Sequence, residues 1–338
     1  MTIILTELQQ LEALIEQHPQ HLRAEVLCRI PFKKQTFPIY ALSLGSTAKD
    51  VPCIAFVGGV HGLERIGTQV VLAFLETLLE RLRWDLTLGV MLEQVRIIFL
   101  PLINPVGMFK QSRANGQGID LMRNAAINSD EKTVWLAGGH RISPHLPWYR
   151  GMEGQPMAQE AQVLCDFIHN RVLTAPFSMV LDCHSGFGVH DRIWFPYAKS
   201  RKEPIAHLGE IYQLRKLFFQ TYPYQNYCFE PQSVHYLTHG DLWDHLYLQS
   251  LSLETVFLPL TLEMGSWRWI RKNPLQVFNL LGMFHPIKPH RINRVLRGHL
   301  ILMEFLVRAT VSYQQWTDPA QDQERTKHAK ELWYSGRE

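Results

Sequence analysis

Apolar runs alternate with segments of helical periodicity along most of the chain, and this alternation limits the possible folds more than any other feature. We predict buried strands at 53–57, 95–103, 178–183 and 255–264, and helices at 66–83, 158–172 and 290–309. Strands without polar residues at alternate positions are typical of a sheet that helices cover on both sides. The pattern predicts an α/β fold with a mixed, mostly parallel central sheet and helices on both faces.

The N-terminal part of the chain has a different pattern. Residues 1–18 are predicted to form an amphipathic helix that Pro19 ends, and two short strands are expected at 24–30 and 37–44. The stretch from Asn124 to Gln155 shows little periodicity, and loops of that length are usually functional or mobile. We therefore divide the chain into an N-terminal segment (1–45), a main domain (46–315) and a charged tail (316–338).

Composition excludes several classes of function. The 338 residues contain 34 Lys and Arg against 31 Asp and Glu, and no basic run stands out, so nucleic acid is not expected as a partner. The five cysteines form no C-x-x-C pair, which favours a reducing compartment. The first residues resemble neither a signal peptide nor a membrane span. We expect a cytoplasmic protein with no membrane partner, and the oligomeric state stays open.

Polar residues mark the ends of the predicted strands. His61 and Glu64 follow the first strand of the main domain, His184 ends another, and Glu263 lies near the end of the last. Open α/β sheets hold ligands at the carboxyl ends of their strands. Each residue also has a purely structural interpretation: Glu64 could cap a helix, His184 could be a core histidine and Glu263 could pair with an arginine. One functional site explains four such residues at one edge of a sheet better than four independent structural roles do.

Two imidazoles and one carboxylate, from a close pair and a distant third residue, form a ligand set that holds Zn²⁺ with a position open for water. One carboxylate leaves that site with a net charge of +1, which favours acidification of water and polarisation of a carbonyl group. A second carboxylate outside the ligand set, Glu263, can then take and return the proton. The sequence predicts one zinc ion per chain.

Six separated blocks of the sequence resemble the zinc carboxypeptidases of the pancreatic carboxypeptidase type, in a divergent, bacterial-type form. The blocks are HGLE, NPVG, SRANGQGIDLMRN, DCHSG, YLTHGDLWD and TLEMG, between about Val57 and Gly265. Their order and the interval of 120 residues from Glu64 to His184 agree with the family. The resemblance implies a zinc carboxypeptidase-like catalytic domain that hydrolyses a peptide or amide bond near a substrate carboxylate.

The resemblance also implies a role for individual residues. His61, Glu64 and His184 match the zinc ligands, and Glu263 matches the general base. Further matches are the oxyanion-stabilising arginine at Arg113, the carboxylate-binding block at Arg123 and Asn124, and the mobile tyrosine at Tyr236, whose block ends with Trp243 and Asp244.

Two positions depart from the family pattern. Met122 replaces the asparagine that helps the arginine at position 123 to hold a terminal carboxylate, and a thioether cannot donate a hydrogen bond. Trp243 occupies the position that faces the side chain of the departing residue. An indole there should narrow the pocket or stack on a flat group of the substrate.

Two alternatives stay open at this point. An N-acyl amino acid deacylase of the aspartoacylase or succinylglutamate desuccinylase kind shares the H-x-x-E motif and the third histidine. A pseudoenzyme that keeps the fold as a binding module is the other. The tyrosine block and the long interval before His184 favour the peptidase, and the presence of Glu263 disfavours the pseudoenzyme.

Overall fold

A computed structural model describes residues 5–335, and in this part of the chain eight strands form one mixed sheet. The strands are β1 (Arg23–Phe32), β2 (Gln35–Gly45), β3 (Cys53–Gly58), β4 (Arg96–Leu100), β5 (Phe177–Ser185), β6 (Asp191–Phe195), β7 (Tyr227–Pro231) and β8 (Val256–Met264). Their order across the sheet is β1-β2-β4-β3-β5-β8-β6-β7. The central strands β4, β3, β5 and β8 are parallel, whereas the pairs β1/β2, β2/β4 and β6/β8 are antiparallel. The predicted mixed, mostly parallel sheet is confirmed.

Helices precede, connect and follow the strands. They are α1 (Thr6–Gln17), α2 (Arg65–Arg81), α3 (Leu86–Leu92), α4 (Pro105–Lys110), α5 (Gln159–Phe167), α6 (Leu208–Thr221), α7 (Leu242–Ser250), α8 (Trp267–Lys272), α9 (Leu280–Phe284), α10 (Pro289–Val311) and α11 (Asp322–Trp333). A π-helical turn, Ile168–Val172, continues α5. Across residues 5–335, no helix combines the length and apolarity needed to span a membrane.

The core lies on both sides of the central strands. Every residue of β3 and β5 is buried, which explains why their sequences show no polar alternation. Helices α2 and α10 pack together and lie against these strands, while α7 packs on β8. Aromatic rings join the layers: Phe74 of α2 lies 5.0 Å from the ring centroid of Phe56 on β3, which stacks at 5.6 Å on Phe99 of β4.

The N-terminal and C-terminal segments pack against the rest of the fold. Strand β2 pairs with β4, so the N-terminal hairpin extends the same sheet as the central strands. The C-terminal helix α11 packs on α6, and the indole of Trp333 donates a hydrogen bond to the carbonyl of Phe229 at 2.8 Å. The first residues of the predicted N-terminal helix lie outside the described part of the chain. The division at residues 45 and 315 stays a prediction.

The topology creates a crevice at one edge of the sheet. From β3 the chain passes through α2 and α3 to β4 on one side of β3, and it later returns to β5 on the other side. Where the strand order reverses in this way, the connections run to opposite sides of β3 and leave space above the carboxyl ends of the strands. The loops after β3, β5 and β8 meet at this edge.

Candidate metal centre and active-site cavity

The loop after β3 presents His61 and Glu64. Glu64 directly precedes the first residue of α2, and its backbone N–H donates to the carbonyl of His61 at 3.1 Å, which folds the loop into a tight turn. Gly62 lies between them where a side chain has no room, because a Cβ there would be 2.0 Å from the backbone carbon of Gly107. Glycine therefore lets the loop pack closely on α4 and fixes both side chains.

Three side chains from two strand ends converge on one point. Nδ1 of His61 lies 2.9 Å from Oε1 of Glu64, and Nδ1 of His184 lies 2.9 Å from Oε2. One ligand atom from each residue lies within 4.8 Å of the others, and all three residues are buried. Nitrogen and oxygen donors of this kind suit Zn²⁺. The residues present fit the predicted ion.

Two aspartates orient the imidazoles. Asp120 Oδ1 lies 3.0 Å from Nε2 of His61, and Asp182 Oδ2 lies 2.7 Å from Nε2 of His184. A hydrogen bond from Nε2–H to a carboxylate leaves the lone pair of Nδ1 directed at the centre of the cluster. Both rings can therefore present a free Nδ1 to a metal ion when they are neutral.

The neighbouring charges shift the pKa values of Glu64 and His184 in opposite directions. Burial opposes ionisation of Glu64, but His61 and His184 hold the pKa of that carboxyl group well below its usual range. Burial also opposes a charge on His184, yet Asp182 and Glu64 raise its pKa well above the usual range. The pocket is thus organised around positive charge at its centre.

Arg113 is held rigidly beside the cluster. Its Nε donates to Asp120 at 2.8 Å and its Nη1 donates to Glu64 at 3.1 Å. Burial works against the charged guanidinium, but the charges of Asp120 and Glu64 outweigh it and raise the pKa of Arg113. Nη2 has no hydrogen-bond partner among the described residues, so it can donate into the cavity.

Glu263 lies opposite, on the neighbouring strand. It pairs in register with His184 across β5 and β8, and its Oε1 accepts the backbone N–H of Phe187 at 3.0 Å. Burial, with the charge of Glu64, raises the pKa of Glu263 to about 8. A carboxyl group with such a pKa can both accept and return a proton near neutral pH.

Arg123 and Tyr236 form another part of the wall. The guanidinium carbon of Arg123 lies 5.9 Å from the ring centroid of Tyr236, and Nη1 donates to the carbonyl of Met122 at 3.3 Å. The Nε atom of Arg123 is buried without a partner among the described residues. Burial raises the pKa of Tyr236, so its hydroxyl group stays protonated.

These groups enclose one cavity of about 370 Å³. Its walls include His61, Glu64, His184, Glu263, Arg113, Arg123 and Tyr236, together with Met122, Phe187, Trp194, Gln232, Asp241, Thr261 and Phe284. Met122 therefore lines the cavity together with Arg123. This is the position at which the family pattern has an asparagine.

The structure places two of the predicted substrate-binding residues, Asn124 and Asp244, behind the cavity wall. The amide of Asn124 donates to the carbonyl of Arg150 at 2.8 Å and accepts the N–H of Ala158 at 2.6 Å. The carboxylate of Asp244 accepts the backbone N–H groups of Ala198 and Lys199 at 2.8–2.9 Å. Both side chains support loops and do not line the cavity.

Trp243 also departs from its expected position. Its side chain is 2% exposed, does not line the cavity, and donates its indole N–H to Asp182 at 2.9 Å. The expectation that the indole narrows the substrate pocket is corrected: the indole packs behind His184 because Asp182 supplies a buried acceptor there.

Sequence reasoning missed the supporting carboxylates. Asp120 and Asp182 hold the imidazoles, and Asp241 lines the cavity at the start of α7. One signal was available for Asp182, because residues two apart on a strand face the same side and Asp182 precedes His184 by two. No comparable pattern pointed to Asp241.

Comparison with known proteins agrees with this geometry. A family model described as zinc carboxypeptidase matches residues 11–251. Carboxypeptidase D of Anas platyrhynchos is 25% identical over 177 residues, which cover 48% of this chain and 11% of the relative. Carboxypeptidase SOL1 of Arabidopsis thaliana is 24% identical over 91 residues, which cover 26% of this chain and 18% of the relative. The chain matches less than a fifth of the length of either relative.

Solved structures share the fold. Bovine thrombin-activatable fibrinolysis inhibitor, in complex with tick carboxypeptidase inhibitor, superposes with a TM-score of 0.62 at 17% identity, covering 90% of this chain and 95% of the other. Carboxypeptidase A from Helicoverpa armigera gives 0.63 at 18% identity, covering 89% and 71%. A metallo-carboxypeptidase from Burkholderia cenocepacia gives 0.54 at 14% identity, covering 89% and 68%.

The matched residues 11–251 are more than two thirds of the chain. They contain the predicted metal ligands and all the predicted blocks except the strand that carries Glu263. The resemblance drawn from the sequence is thereby confirmed, and the protein belongs to the zinc carboxypeptidase family, whose fold and chemistry are those of metallopeptidase-type hydrolases.

Proposed function

We propose that this protein is a zinc-dependent metallocarboxypeptidase that hydrolyses a peptide or amide bond next to a residue with a free carboxylate. The observation that carries the proposal is the arrangement of His61, Glu64 and His184, with both Nδ1 atoms directed at one carboxylate and both Nε2 atoms held by aspartates. When bound there, zinc supplies Lewis-acid chemistry: it acidifies water and polarises a carbonyl group.

The protein's own residues position the substrate. Arg123 provides a cation with an unpartnered Nε in a buried site, which suits a carboxylate at the end of the substrate. Tyr236, whose ring lies over the same guanidinium, covers that position. Arg113 and Glu263 line the same cavity as Arg123, so we expect the amide bond next to a bound carboxylate to lie between these two residues.

Two residues act on the reacting groups. Glu263 accepts a proton from the attacking water and passes it to the nitrogen of the departing amine, because it is a carboxyl group on the cavity wall outside the predicted ligand set. Arg113 donates from Nη2 to the oxygen on which negative charge develops. Because Asp120 and Glu64 already fix its guanidinium, little reorganisation is required.

The test is hydrolysis of N-acyl dipeptides with the C-terminus free or amidated, by zinc-loaded protein with and without a chelator. We expect cleavage of the free acid only, and loss of activity on chelation. Glu263→Gln should keep zinc and lower kcat at least about a hundredfold. The exposed Glu76→Gln on α2 is the matched control and should leave kcat unchanged.

Two results would contradict the proposal. Equal cleavage of amidated and free substrates would show that no terminal carboxylate is recognised. Release of zinc by Glu263→Gln would show that Glu263 is a metal ligand and not the proton carrier.

A further inference from the structure

A second cavity, of about 440 Å³, lies between α8, α10 and the first residues of β6 and β7. It shares no lining residue with the active-site cavity, so the proposed reaction does not use it. Its wall includes Arg268 and Lys272 of α8, Arg291 and Arg294 of α10, and one acidic residue, Asp191. The wall therefore carries an excess of positive charge.

This charge comes from one part of the chain. Between Glu263 and Glu304 the sequence has seven Lys and Arg and no Asp or Glu, whereas the whole chain has nearly equal numbers, 34 and 31. The seven residues are spread along the sequence, and the fold gathers four of them around one concave surface. Cations held this close repel one another, and a bound anion would remove that cost.

Helix α10 carries its cations at the end where a helix disfavours them. Its first turn has no acidic residue, while His290, Arg291 and Arg294 lie in the first two turns. The N-terminal end of the helix dipole is positive, so it attracts anions and disfavours Lys and Arg. Residues three or four apart share one face of a helix, and this face lines the cavity as far as His299. The dipole and the side chains favour an anion at the same place.

Asp191 does not neutralise the wall, because Arg268 already binds it. Nη2 of Arg268 donates to Oδ1 and Oδ2 of Asp191 at 2.5 and 2.8 Å. In the part of the chain that the structure describes, no acidic side chain forms an ion pair with Lys272, Arg291 or Arg294. Three cations on the cavity wall are thus left for a ligand.

His299 adds a buried, uncharged donor to this wall. Its side chain is 2% exposed, and its Nδ1 lies 2.8 Å from the hydroxyl group of Tyr227. Burial lowers the pKa of His299 to about 4 and raises the pKa of Tyr227, so both groups are neutral near pH 7. The phenol proton has no other acceptor among the described residues, so it is donated to Nδ1 and the ring proton is on Nε2. Nε2–H makes no hydrogen bond within residues 5–335 and can donate to a ligand.

Gly298 leaves space in the same cavity. It lies inside the 23-residue helix α10, where glycine costs about 1 kcal/mol relative to alanine. A Cβ at this position would meet no atom within 4 Å, so packing against the rest of the protein does not require glycine. The missing side chain keeps the cavity open one helical turn from Arg294.

We propose that this cavity binds a phosphate-bearing small molecule, whose phosphate group is held by Lys272, Arg291 and Arg294. A phosphate carries up to two negative charges and several acceptor oxygens, which suits two guanidinium groups, an ammonium group and the N–H of a neutral imidazole. The volume of about 440 Å³ also leaves room for an organic group beside the phosphate. The inference goes beyond the proposed function and does not depend on it.

The test is calorimetric titration of the zinc-loaded protein with phenyl phosphate and with inorganic phosphate, and phenol is the uncharged control. We expect saturable binding of the two phosphate compounds, weakened by added salt, and no binding of phenol. Failure of both phosphate compounds to bind would overturn the inference.

Substitutions locate the bound phosphate. Arg294→Gln and Lys272→Gln should each weaken binding at least about fivefold, because each removes a charge-assisted hydrogen bond. The control is Arg297→Gln, which makes the same change on the same helix outside the cavity and should leave the Kd unchanged. Equal effects of Arg294→Gln and Arg297→Gln would show that only the general charge of the helix matters, and would overturn the inference.

Gly298→Leu tests the cavity without removing a charge. Leucine is a better helix former than glycine, so the Tm should stay the same or rise while the side chain fills the space that the ligand needs. We expect binding of phenyl phosphate to be lost. Binding that persists unchanged in this variant would show that the phosphate compound does not enter the cavity.

Arg123→Ala separates this site from the active-site cavity, where another buried arginine lies. Phosphate binding should be unchanged in this variant, whether or not the protein hydrolyses peptides. Loss of binding in Arg123→Ala, with normal binding in Arg294→Gln, would place the phosphate in the active-site cavity and overturn the inference.

Sedimentation with vesicles that contain phosphatidylglycerol identifies the source of the phosphate. Vesicle binding that phenyl phosphate displaces would show that a lipid headgroup can supply the same chemistry, whereas binding of phenyl phosphate alone indicates a soluble ligand. Both results support the site. Vesicle binding by a protein that binds neither phosphate compound would overturn the inference, because an exposed basic surface and not the cavity would then be recognised.

Discussion

Trp243 donates its indole N–H to Asp182 Oδ2 at 2.9 Å, and the same oxygen lies 2.7 Å from Nε2 of His184. The tryptophan thus helps to position His184, a candidate metal ligand. All three side chains are buried, so water cannot substitute for the indole donor. The orientation of His184 depends on a residue from a different element of the fold, the helix α7.

Trp243→Phe should weaken zinc binding by up to about tenfold, less than the one to two orders of magnitude typical for a direct partner of a metal-bound histidine, because the indole acts through Asp182. Competition with a chromophoric chelator measures the zinc Kd. The control is Trp84→Phe, which removes an indole that is 73% exposed. A shift in substrate preference with an unchanged Kd would instead place Trp243 in substrate recognition.

Zinc affinity should rise with pH through the neutral range. In the metal-free protein Asp182 and Glu64 raise the pKa of His184, against the effect of burial, so its imidazole carries a proton at neutral pH. Zinc must displace that proton, and the competition weakens as the pH approaches the raised pKa. Calorimetry in buffers of different ionisation enthalpy should detect proton release on binding. His184→Ala should abolish tight binding, and unchanged zinc in that variant would remove the basis of the assigned centre.

Met122→Asn should improve hydrolysis of substrates with a free C-terminus. Met122 lines the cavity beside Arg123 and its thioether cannot donate a hydrogen bond, whereas asparagine can. One net hydrogen bond of about 0.5–1.5 kcal/mol would raise kcat/KM by up to roughly tenfold. The comparison uses the same acyl-dipeptide with free and amidated C-termini. Arg123→Ala should abolish the difference between them, and a gain of Met122→Asn on the amide alone would count against carboxylate binding at this position.

Gly240→Ala should destabilise the fold more than Gly154→Ala. Both glycines have a left-handed φ, +70° and +74°, so alanine costs about 1–2 kcal/mol at either position. A Cβ on Gly154 meets nothing within 4 Å, whereas on Gly240 it would meet the carbonyl oxygen of Arg123 at 1.9 Å. The clash should add roughly 1–3 kcal/mol to the loss in free energy of unfolding, measured by denaturant titration. Equal losses in both variants would show that the two loops do not pack as closely as described.

The central part of the fold was predictable because its strands are buried on both faces. Burial of this kind appears in the sequence as an almost continuous run of apolar residues. Strands β6 and β7 were missed. Each has five residues, and β6 begins with the charged pair Asp191 and Arg192, which locally resembles a loop. Their pairing with β8 and with each other is a long-range property that periodicity does not report.

The cluster of His61, Glu64 and His184 was predictable because histidine and glutamate are unusual at the ends of apolar strands. The orientation of Trp243 was not, since it depends on Asp182, a residue from another element. Asn124 and Asp244 lie in blocks that resemble the family, yet their side chains bind backbone groups. Position in a motif places a residue near a site without fixing the direction of its side chain.

The pairing of β5 with β8 has a further consequence. Nine residue pairs, from Phe177↔Val256 to Ser185↔Met264, set His184 beside Glu263. Because side chains alternate along a strand, a shift of one residue would turn Glu263 to the opposite face of the sheet. The register of the two parallel strands therefore sets the distance between the candidate metal centre and Glu263. We expect a one-residue insertion at the start of β8, remote from the cavity, to abolish proton transfer by Glu263. His61, Glu64 and His184 should still be able to bind zinc.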